Sequence, residues 1–458
     1  MPATLQRDLQ AQVGPGQVLS RPADLAAYGF DAFGASGERH LPDLVVFPGS
    51  TEEVSWIIQV CAAHGAAVVP RGAGTGYSGG AVPLGGGVVL NLCRMNRVLG
   101  LERDAMRMHV EAGTITAGVH RRAAAESLYY PPDPGSSTTS TIGGNVACNA
   151  GGPHALRYGV TVDYVAGLAA VLADGRIIRA GEGAGDSELL PLMVGSEGTL
   201  AVVTEVLLKL IPAPAARATL AGAFADMEGA AAAVSAISGA RLVPAALEFL
   251  DGAALQAVAR SGVDAVAPDA GALLLVEVEG DASTTSAQAD VVRSALERAG
   301  AGLVVAATDK ADADRLWRAR KAISAAVAKV MIGKVNEDVA VPRDRIAELV
   351  TVTRRLGEQH GVPVVNFGHL GDGNLHATFL IDPRRPGDRR RADAAAAGLF
   401  DTVLDMGGTL TGEHGVGYTK LPYLERQLGA GGISLMRRLK QAFDPRGLLN
   451  PGKKVPPG

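Results

Sequence analysis

Residues 368–376, GHLGDGNLH, set two histidines seven positions apart around Gly, Asp, Gly and Asn. The apolar stretch VPVVNFG leads into His369, LHATFL opens a second strand at His376, and LGDGN between them is turn chemistry. A hairpin or tight loop would return both imidazoles to one place. Farther along, TGEHGVG (411–417) sets Glu413 beside His414, hemmed by Gly412 and Gly415. Adjacent residues of an extended segment point opposite ways, so these two serve separate tasks. Two histidines and a carboxylate make a common triad for a divalent transition metal with open coordination positions. On spacing alone, strand-capping histidines are an equal alternative. The other six, His40, His64, His109, His120, His154 and His360, read as structural. RLWRARKAIS (315–324) carries Arg315, Arg318, Arg320 and Lys321 on one helix, ordinarily a solvated basic face. Positions 318 and 320 point to different sides, so at most one of them faces a pocket.

A second kind of chemistry lies in the glycines. PRGAGTGYSGG (70–80) contains a formal GxGxxG at Gly74, Gly76 and Gly79. A dinucleotide fingerprint needs a helix beginning at the last glycine, and GGAVPLGGG cannot begin one. No acidic residue stands at the ribose-binding distance, so NAD is excluded by this route. A run of small residues instead lets backbone N–H groups point into one concavity, a nest for anions. PPDPGSSTTSTIGGNVACNAGG (131–152) has the same character and adds hydroxyls and Asn145. Two nests on separate loops, each adjoining a strand, suit a diphosphate held along its length.

These residues need a scaffold of more than one core, and 458 residues allow about three domains. The chain is 47% hydrophobic and 20% charged, a globular and not a disordered composition. Lys and Arg (43) nearly balance Asp and Glu (47), and the run RRPGDRRRAD (384–393) reads as a solvated loop entering a helix. No basic stripe with interleaved aromatics points to nucleic acid. Cys61, Cys93 and Cys148 are dispersed and too few to hold an iron–sulfur cluster, and a reducing compartment is the expectation. No secretory h-region or run of 18 apolar residues occurs, so a cytoplasmic protein without a transmembrane segment is expected. After a helical lead-in (1–40), LVVFP, TEEVSWIIQVCAAHG and AAVVP read as strand, helix and strand. LAAVLADG and LAVVTEVLLKLIP are further strands, and IPAPAA (211–216) is the best linker. Beyond it, alanine-rich helices (226–238, 283–299, 311–330, 343–359) alternate with strands such as ALLLVEVEG and VPVVNFGHL.

PRGAGTGYSGG, PPDPGSSTTSTIGGNVACNAGG, GSEGTLAVVTEV, GHLGDGNLH, TGEHGVG and NPGK, in this order, resemble the FAD-linked 2-hydroxy-acid dehydrogenases. This is the glycolate oxidase flavoprotein subunit and D-lactate dehydrogenase group of the vanillyl-alcohol-oxidase superfamily. The resemblance covers the chain past about residue 40 and implies an α+β protein. A two-lobed FAD-binding domain (41–212) would be followed by an α/β cap with a mainly antiparallel sheet (213–420) and a segment returning to the FAD domain (421–458). By similarity, Pro70, Arg71, Gly72, Gly74, Thr75, Ser78 and Gly79 wrap the FAD diphosphate. Asp133, Thr141, Gly143, Gly144 and Asn145 continue that surface, with Glu197 and Gly198 toward the adenine. Relatives that bind flavin covalently carry His roughly where Thr75 stands, so the resemblance implies noncovalent FAD. It also implies His369, His376 and Glu413 as ligands of Zn, Mn or Fe, His414 as catalytic base, and Arg320, Ser324, Thr378 and Asn450 as substrate-binding.

The implied reaction is oxidation of a small D-2-hydroxy acid, D-lactate or glycolate, by hydride transfer to flavin. Relatives acting on D-2-hydroxyglutarate typically have Asn where Thr378 stands, and Lys334 is an inexact match to their lysine, which favours a monocarboxylate. That dicarboxylate and a non-redox role of the ether-lipid synthase type are the alternatives. Electrons would leave to a quinone, a cytochrome or an iron–sulfur subunit, with peripheral membrane contact through such a partner and a homodimer both compatible.

Overall fold

The computed structural model describes residues 3–33, 40–184 and 187–457; residues 1–2 and 34–39 of the expected lead-in lie outside the described residues. The chain forms two compact units. Unit 1 comprises Met1–Gly151, Val160–Ala213 and Glu413–Gly458, and unit 2 comprises Gly152–Gly159 and Pro214–Gly412. The passage at Ala213–Pro214 falls inside IPAPAA, while the return comes at Glu413, ahead of 421. The short excursion 152–159 has no counterpart in the sequence reading. Among the described residues, no helix is long and apolar enough to cross a membrane.

Among the described residues, unit 1 contains two larger sheets and a two-stranded pairing of Leu128–Tyr129 with Ile211–Pro212. In the first, Leu44–Val46 and Val68–Arg71 flank Val88–Asn91 in parallel, and Val18–Leu19 of the lead-in adds an antiparallel edge. The second is antiparallel, in the order 98–102, 107–111, 202–209, 165–171, 177–181. The helix Thr51–Ala63 starts where Ser50 accepts the Glu53 N–H, with Glu52 and Glu53 in its first turn. Its buried residues Val54, Ile57, Ile58, Cys61 and Ala62 follow the 3.6-residue period. They pack with Leu5 and Leu9 of the first helix and with Val46, Val68, Val88 and Leu90 of the sheet. Leu449 joins this core through a parallel bridge to Val68.

Unit 2 is built on a seven-stranded sheet whose pairs are all antiparallel, in the order 303–306, 216–224, 272–280, 246–251, 364–369, 374–381, 333–340. Ala246, Leu250, Leu273, Leu275, Val365 and Phe367 form a core with the helix Lys310–Val330 through Leu316, Trp317 and Ile323. Register partners in an antiparallel pair share a face. By the two-residue period, Glu277 and Glu279 of ALLLVEVEG share the face of Leu273 and Leu275, and Glu277 meets the same helix at Trp317.

Glu277 is 6% exposed and accepts from Thr219 Oγ1 (3.1 Å) and Trp317 Nε1 (3.0 Å), with His154 Nε2 at 3.2 Å. Glu279 is fully buried and is met by Arg217 Nε (2.8 Å) and the Tyr158 hydroxyl. His154 and Tyr158 belong to the excursion 152–159, so the two glutamates tie that segment to the sheet. Burial pushes the Glu277 carboxyl up, but the hydrogen bond and charge of His154, with Arg217 and Trp317, outweigh it and hold it down to about 2.

Ile57→Ala is expected to cost about 2–5 kcal/mol, read as a lowered urea midpoint, because the site is closed on all sides. A carboxyl held below its unfolded value stabilises the fold above pH 4.5 and loses that contribution as pH falls toward 2. Glu277→Gln should therefore flatten acid unfolding across that window; an unaltered acid limb would show that the carboxylate contributes nothing.

Candidate active site

The hairpin built from Val364–His369 and Asn374–Ile381 returns both histidines to one place. Asp372 Oδ1 accepts the Asn374 N–H at 3.2 Å within the turn. Gly373 has φ +80°, and a Cβ there would overlap the carbonyl of Val341. His369 and His376 are 5% and 4% exposed, with Nε2 atoms 3.5 Å apart and rings nearly perpendicular. The sheet register puts Glu248 opposite His369, Asp338 opposite His376, and Asn336 opposite Thr378, all on one face. Glu248 is fully buried. Its Oε1 lies 2.5 Å from His369 Nδ1, and its Oε2 accepts from Arg320 Nε at 2.6 Å. Burial pushes the Glu248 carboxyl up, and its neighbours His369 and Arg320 more than offset this and hold it below its usual value.

Two imidazole nitrogens turned toward each other beside buried carboxyl groups are the donor chemistry of a transition-metal ion. Asn374 adds an orphan: it is 3% exposed, and its Oδ1 makes no hydrogen bond to any described residue. The chain reaches the same rim a second time. Thr409 bridges Ala340, Thr411 Oγ1 donates to Asp338 at 3.0 Å, and a Cβ on Gly412 would overlap the Asn374 amide. Glu413 is the next residue in the chain, the first of the segment returning to unit 1.

Arg320 stands on the helix Lys310–Val330, which begins where Asp309 accepts the Asp312 N–H. Arg318 is exposed, whereas the Arg320 side chain is 13% exposed and lies over the Phe367 ring at 5.1 Å. With Nε committed to Glu248, its two terminal nitrogens make no hydrogen bond to a described residue. Ser324 is exposed. Thr378 is 2% exposed and donates to Asn336 Oδ1 at 2.6 Å. Lys334 shares the face of Asn336 and Asp338 by its position in the same strand.

In unit 1 the two glycine loops meet: a Cβ on Gly72 would overlap Thr141 Oγ1, and one on Gly143 would collide with Ala112. Thr141 caps the helix Ile142–Cys148 by accepting the Gly144 N–H, and Asn145 Nδ2 donates to Thr116. Arg71 is turned inward, donating to the Phe30 carbonyl at 2.9 Å, and burial pushes its pKa down. The backbone N–H groups of Gly74, Thr75, Gly76, Ser78 and Gly79 make no hydrogen bond to a described residue. A row of available main-chain donors fits a diphosphate. Asp133 is half-buried near the start of the second block.

Glu197, in the left-handed region (φ +54°), gathers the N–H groups of Val416 (2.9 Å) and Gly417 (2.7 Å). Gly198 lies against Pro70. Ser78 Oγ donates to the His414 carbonyl at 3.0 Å, and the Tyr77 ring stacks on the His414 imidazole at 4.9 Å. Thus His414 is held within unit 1 by the first glycine loop and by Glu197. Asn450, placed at the substrate by resemblance, is 1% exposed with its amide committed: Nδ2 donates to the carbonyls of Gly80 and Glu197, and Oδ1 accepts from Lys453. Burial pushes the Lys453 ammonium down to about 7 against the pull of Asp31 and Glu197.

Sequence reasoning missed Glu248, Asn374 and Tyr77. The available signal was a single acid inside the apolar run AALEFL, an Asn in the turn already singled out, and an aromatic inside a glycine loop.

Comparison with known proteins matches residues 42–181 to the FAD binding domain and residues 213–454 to the family described as FAD linked oxidases, C-terminal domain. The glycolate oxidase subunit GlcD of Bacillus subtilis (strain 168) is 38% identical over 457 residues, covering 98% of this chain and 97% of its own. A D-lactate dehydrogenase of Anaerostipes hadrus is 35% identical, covering 90% of this chain and 89% of its own. The structure of p-cresol methylhydroxylase superposes with a TM-score of 0.82 over 98% of this chain and 96% of its own, at 17% identity, a likeness of fold. The architecture is the α+β, two-domain fold of the vanillyl-alcohol-oxidase type. With both domain matches in order and a relative aligned from end to end, the chain belongs to the FAD-linked oxidases.

Proposed function

We propose that this chain oxidises a small D-2-hydroxy acid, D-lactate or glycolate, to the 2-oxo acid. The observation that carries the reading is the buried imidazole pair, 3.5 Å apart, beside an arginine whose terminal nitrogens are uncommitted. Relatives named glycolate oxidase subunit and D-lactate dehydrogenase support the substrate class. Bound FAD would accept the C2 hydride, and a divalent ion (Zn, Mn or Fe), which His369, His376 and Glu413 would hold, would lower the pKa of the C2 hydroxyl. Arg320 receives the substrate carboxylate on its two Nη donors, the planar arrangement that suits a bidentate pair. Neutral His414 accepts the hydroxyl proton on a ring nitrogen, and stacking on Tyr77 limits the ring's rotation. The Gly74–Gly79 loop binds the cofactor diphosphate through main-chain N–H groups, noncovalently, since Thr75 stands where a tethering His would be. Reoxidation requires a quinone, a cytochrome or an iron–sulfur partner. A D-2-hydroxyglutarate reading is favoured by one observation, the placement of Lys334 on the site's face of the sheet.

The deciding experiment mixes the yellow protein anaerobically with glycolate, D-lactate, L-lactate and D-2-hydroxyglutarate, with and without prior chelation. Flavin bleaching by glycolate or D-lactate, abolished by chelator and restored by metal, is the expected result. Bleaching by D-2-hydroxyglutarate alone would transfer the assignment to the dicarboxylate, and no bleaching in FAD- and metal-replete protein would overturn it. His414→Asn should retain FAD and lose about 10²–10⁴-fold in turnover. Arg320→Lys keeps a cation near Glu248 but loses the planar fork, and KM should rise at least about tenfold. An unchanged KM removes Arg320 from the substrate site.

A further inference from the structure

We propose that Glu248 is a positioning residue with two clients, setting the tautomer of His369 and the orientation of Arg320 through one carboxylate. The proposal rests on the reading of His369 as a metal ligand and Arg320 as the substrate's carboxylate partner.

Glu248 sits on the strand Ala246–Asp251, with no exposed surface, and each of its oxygens has one partner: Oε1 with His369 Nδ1 at 2.5 Å, Oε2 with Arg320 Nε at 2.6 Å. No other described residue hydrogen-bonds to its carboxylate. An ionised carboxylate only accepts, so Nδ1 of His369 carries the hydrogen. In a neutral imidazole the lone pair then belongs to Nε2, the atom that faces His376 Nε2. Without Glu248 the ring would be free to take the opposite tautomer, with an N–H where a ligand lone pair is required. A carboxylate behind a ligating histidine also raises the basicity of the ligand.

The second client is fixed by the same logic. A guanidinium is planar, so anchoring Nε to Glu248 and laying the plane over Phe367, 5.1 Å below, leaves one direction for the two Nη groups. The strand register places Glu248 directly opposite His369, while Arg320 comes from the helix packed on that face. One carboxylate therefore fixes a strand residue and a helix residue relative to each other. A purely structural ion pair would need neither the Nδ1 contact nor the free Nη pair.

Glu248→Gln is the discriminating variant. An amide offers one acceptor and one donor, so it satisfies one client and turns an N–H against the other. The full-length flavoprotein, its Gln variant and a Glu248→Asp variant should be compared in four measurements. These are FAD content with thermal midpoint, Zn affinity by competition with a chromophoric chelator, KM and kcat for the acid that bleaches the wild type, and ¹⁵N shifts of the histidine side chains. The wild type is expected to show His369 as the Nδ1–H tautomer. The Gln variant should retain FAD, bind Zn about 10–100-fold more weakly, as loss of an outer-shell partner typically costs, and show a raised KM.

A folded Gln variant with wild-type Zn affinity and wild-type KM overturns the proposal. If that variant does not fold, the Asp variant decides, and unaltered affinity and KM there overturn it equally. An Nε2–H tautomer of His369 in the wild type overturns it without any variant. A wild type that binds no divalent ion is a different failure: it removes the metal reading, and the tautomer measurement then stands alone as the test of the Glu248 contact.

Discussion

An antiparallel sheet repeats its side-chain direction every two residues, and the chemistry of unit 2 depends on that period being held without a slip. Glu248, His369, Asn374, His376, Asp338, Thr378 and Asn336 come from four strands, and register alone puts them on one face. Moving the strand Asn374–Ile381 by one residue would turn His376 and Thr378 to the opposite face. The turn prevents this. Gly373 occupies a left-handed backbone conformation with no room for a side chain, and a Cβ on Gly368 would overlap the Asn374 carbonyl. The glycines of GHLGDGNLH are thus as necessary to the histidine pair as the histidines are.

Buried glutamates are the second organising element. Glu197, Glu248, Glu277 and Glu279 are each 6% exposed or less, and each is met by donors from distant parts of the chain. A buried carboxylate is tolerated when its oxygens are hydrogen-bonded or ion-paired, so each fixes the segments that supply its partners. Glu197 does this for the backbone after His414, Glu277 and Glu279 for residues 152–159, and Glu248 for His369 and Arg320.

Much of this could be read from residue order. The amphipathic period of 51–63, the strand ending at His369 and the alanine-rich helices all have strong local causes, and the structure contains each of them. Glu277 and Glu279 were opaque for a physical reason. Alternation in LLLVEVEG looks like a strand with one face in water, and only the helix packed over that face makes it interior. Asn450 illustrates the opposite difficulty. Motif placement assigns it to substrate, whereas its amide is consumed by two carbonyls and a lysine that lie hundreds of residues away or three residues on. Side-chain commitments of that kind depend on tertiary neighbours and leave no periodic trace. Ser324 lies one helical turn from Arg320, on the same face, yet it is exposed; how far neighbouring elements cover that face is set by tertiary packing and not by the spacing.

The excursion 152–159 has a consequence for how such a protein is assembled by evolution or by hand. Unit 2 is not a contiguous insert, because eight of its residues are encoded inside the FAD-binding half, ahead of the linker. A cap exchanged at Pro214 and Gly412 would arrive without His154 and Tyr158, carrying two interior carboxylates made for partners it had left behind. Recombination between relatives at those two points is compatible with folding only when the donor's glutamates and the host's His and Tyr agree. In an exchange that keeps these contacts, the cap and the stretch of eight residues outside it move as one piece.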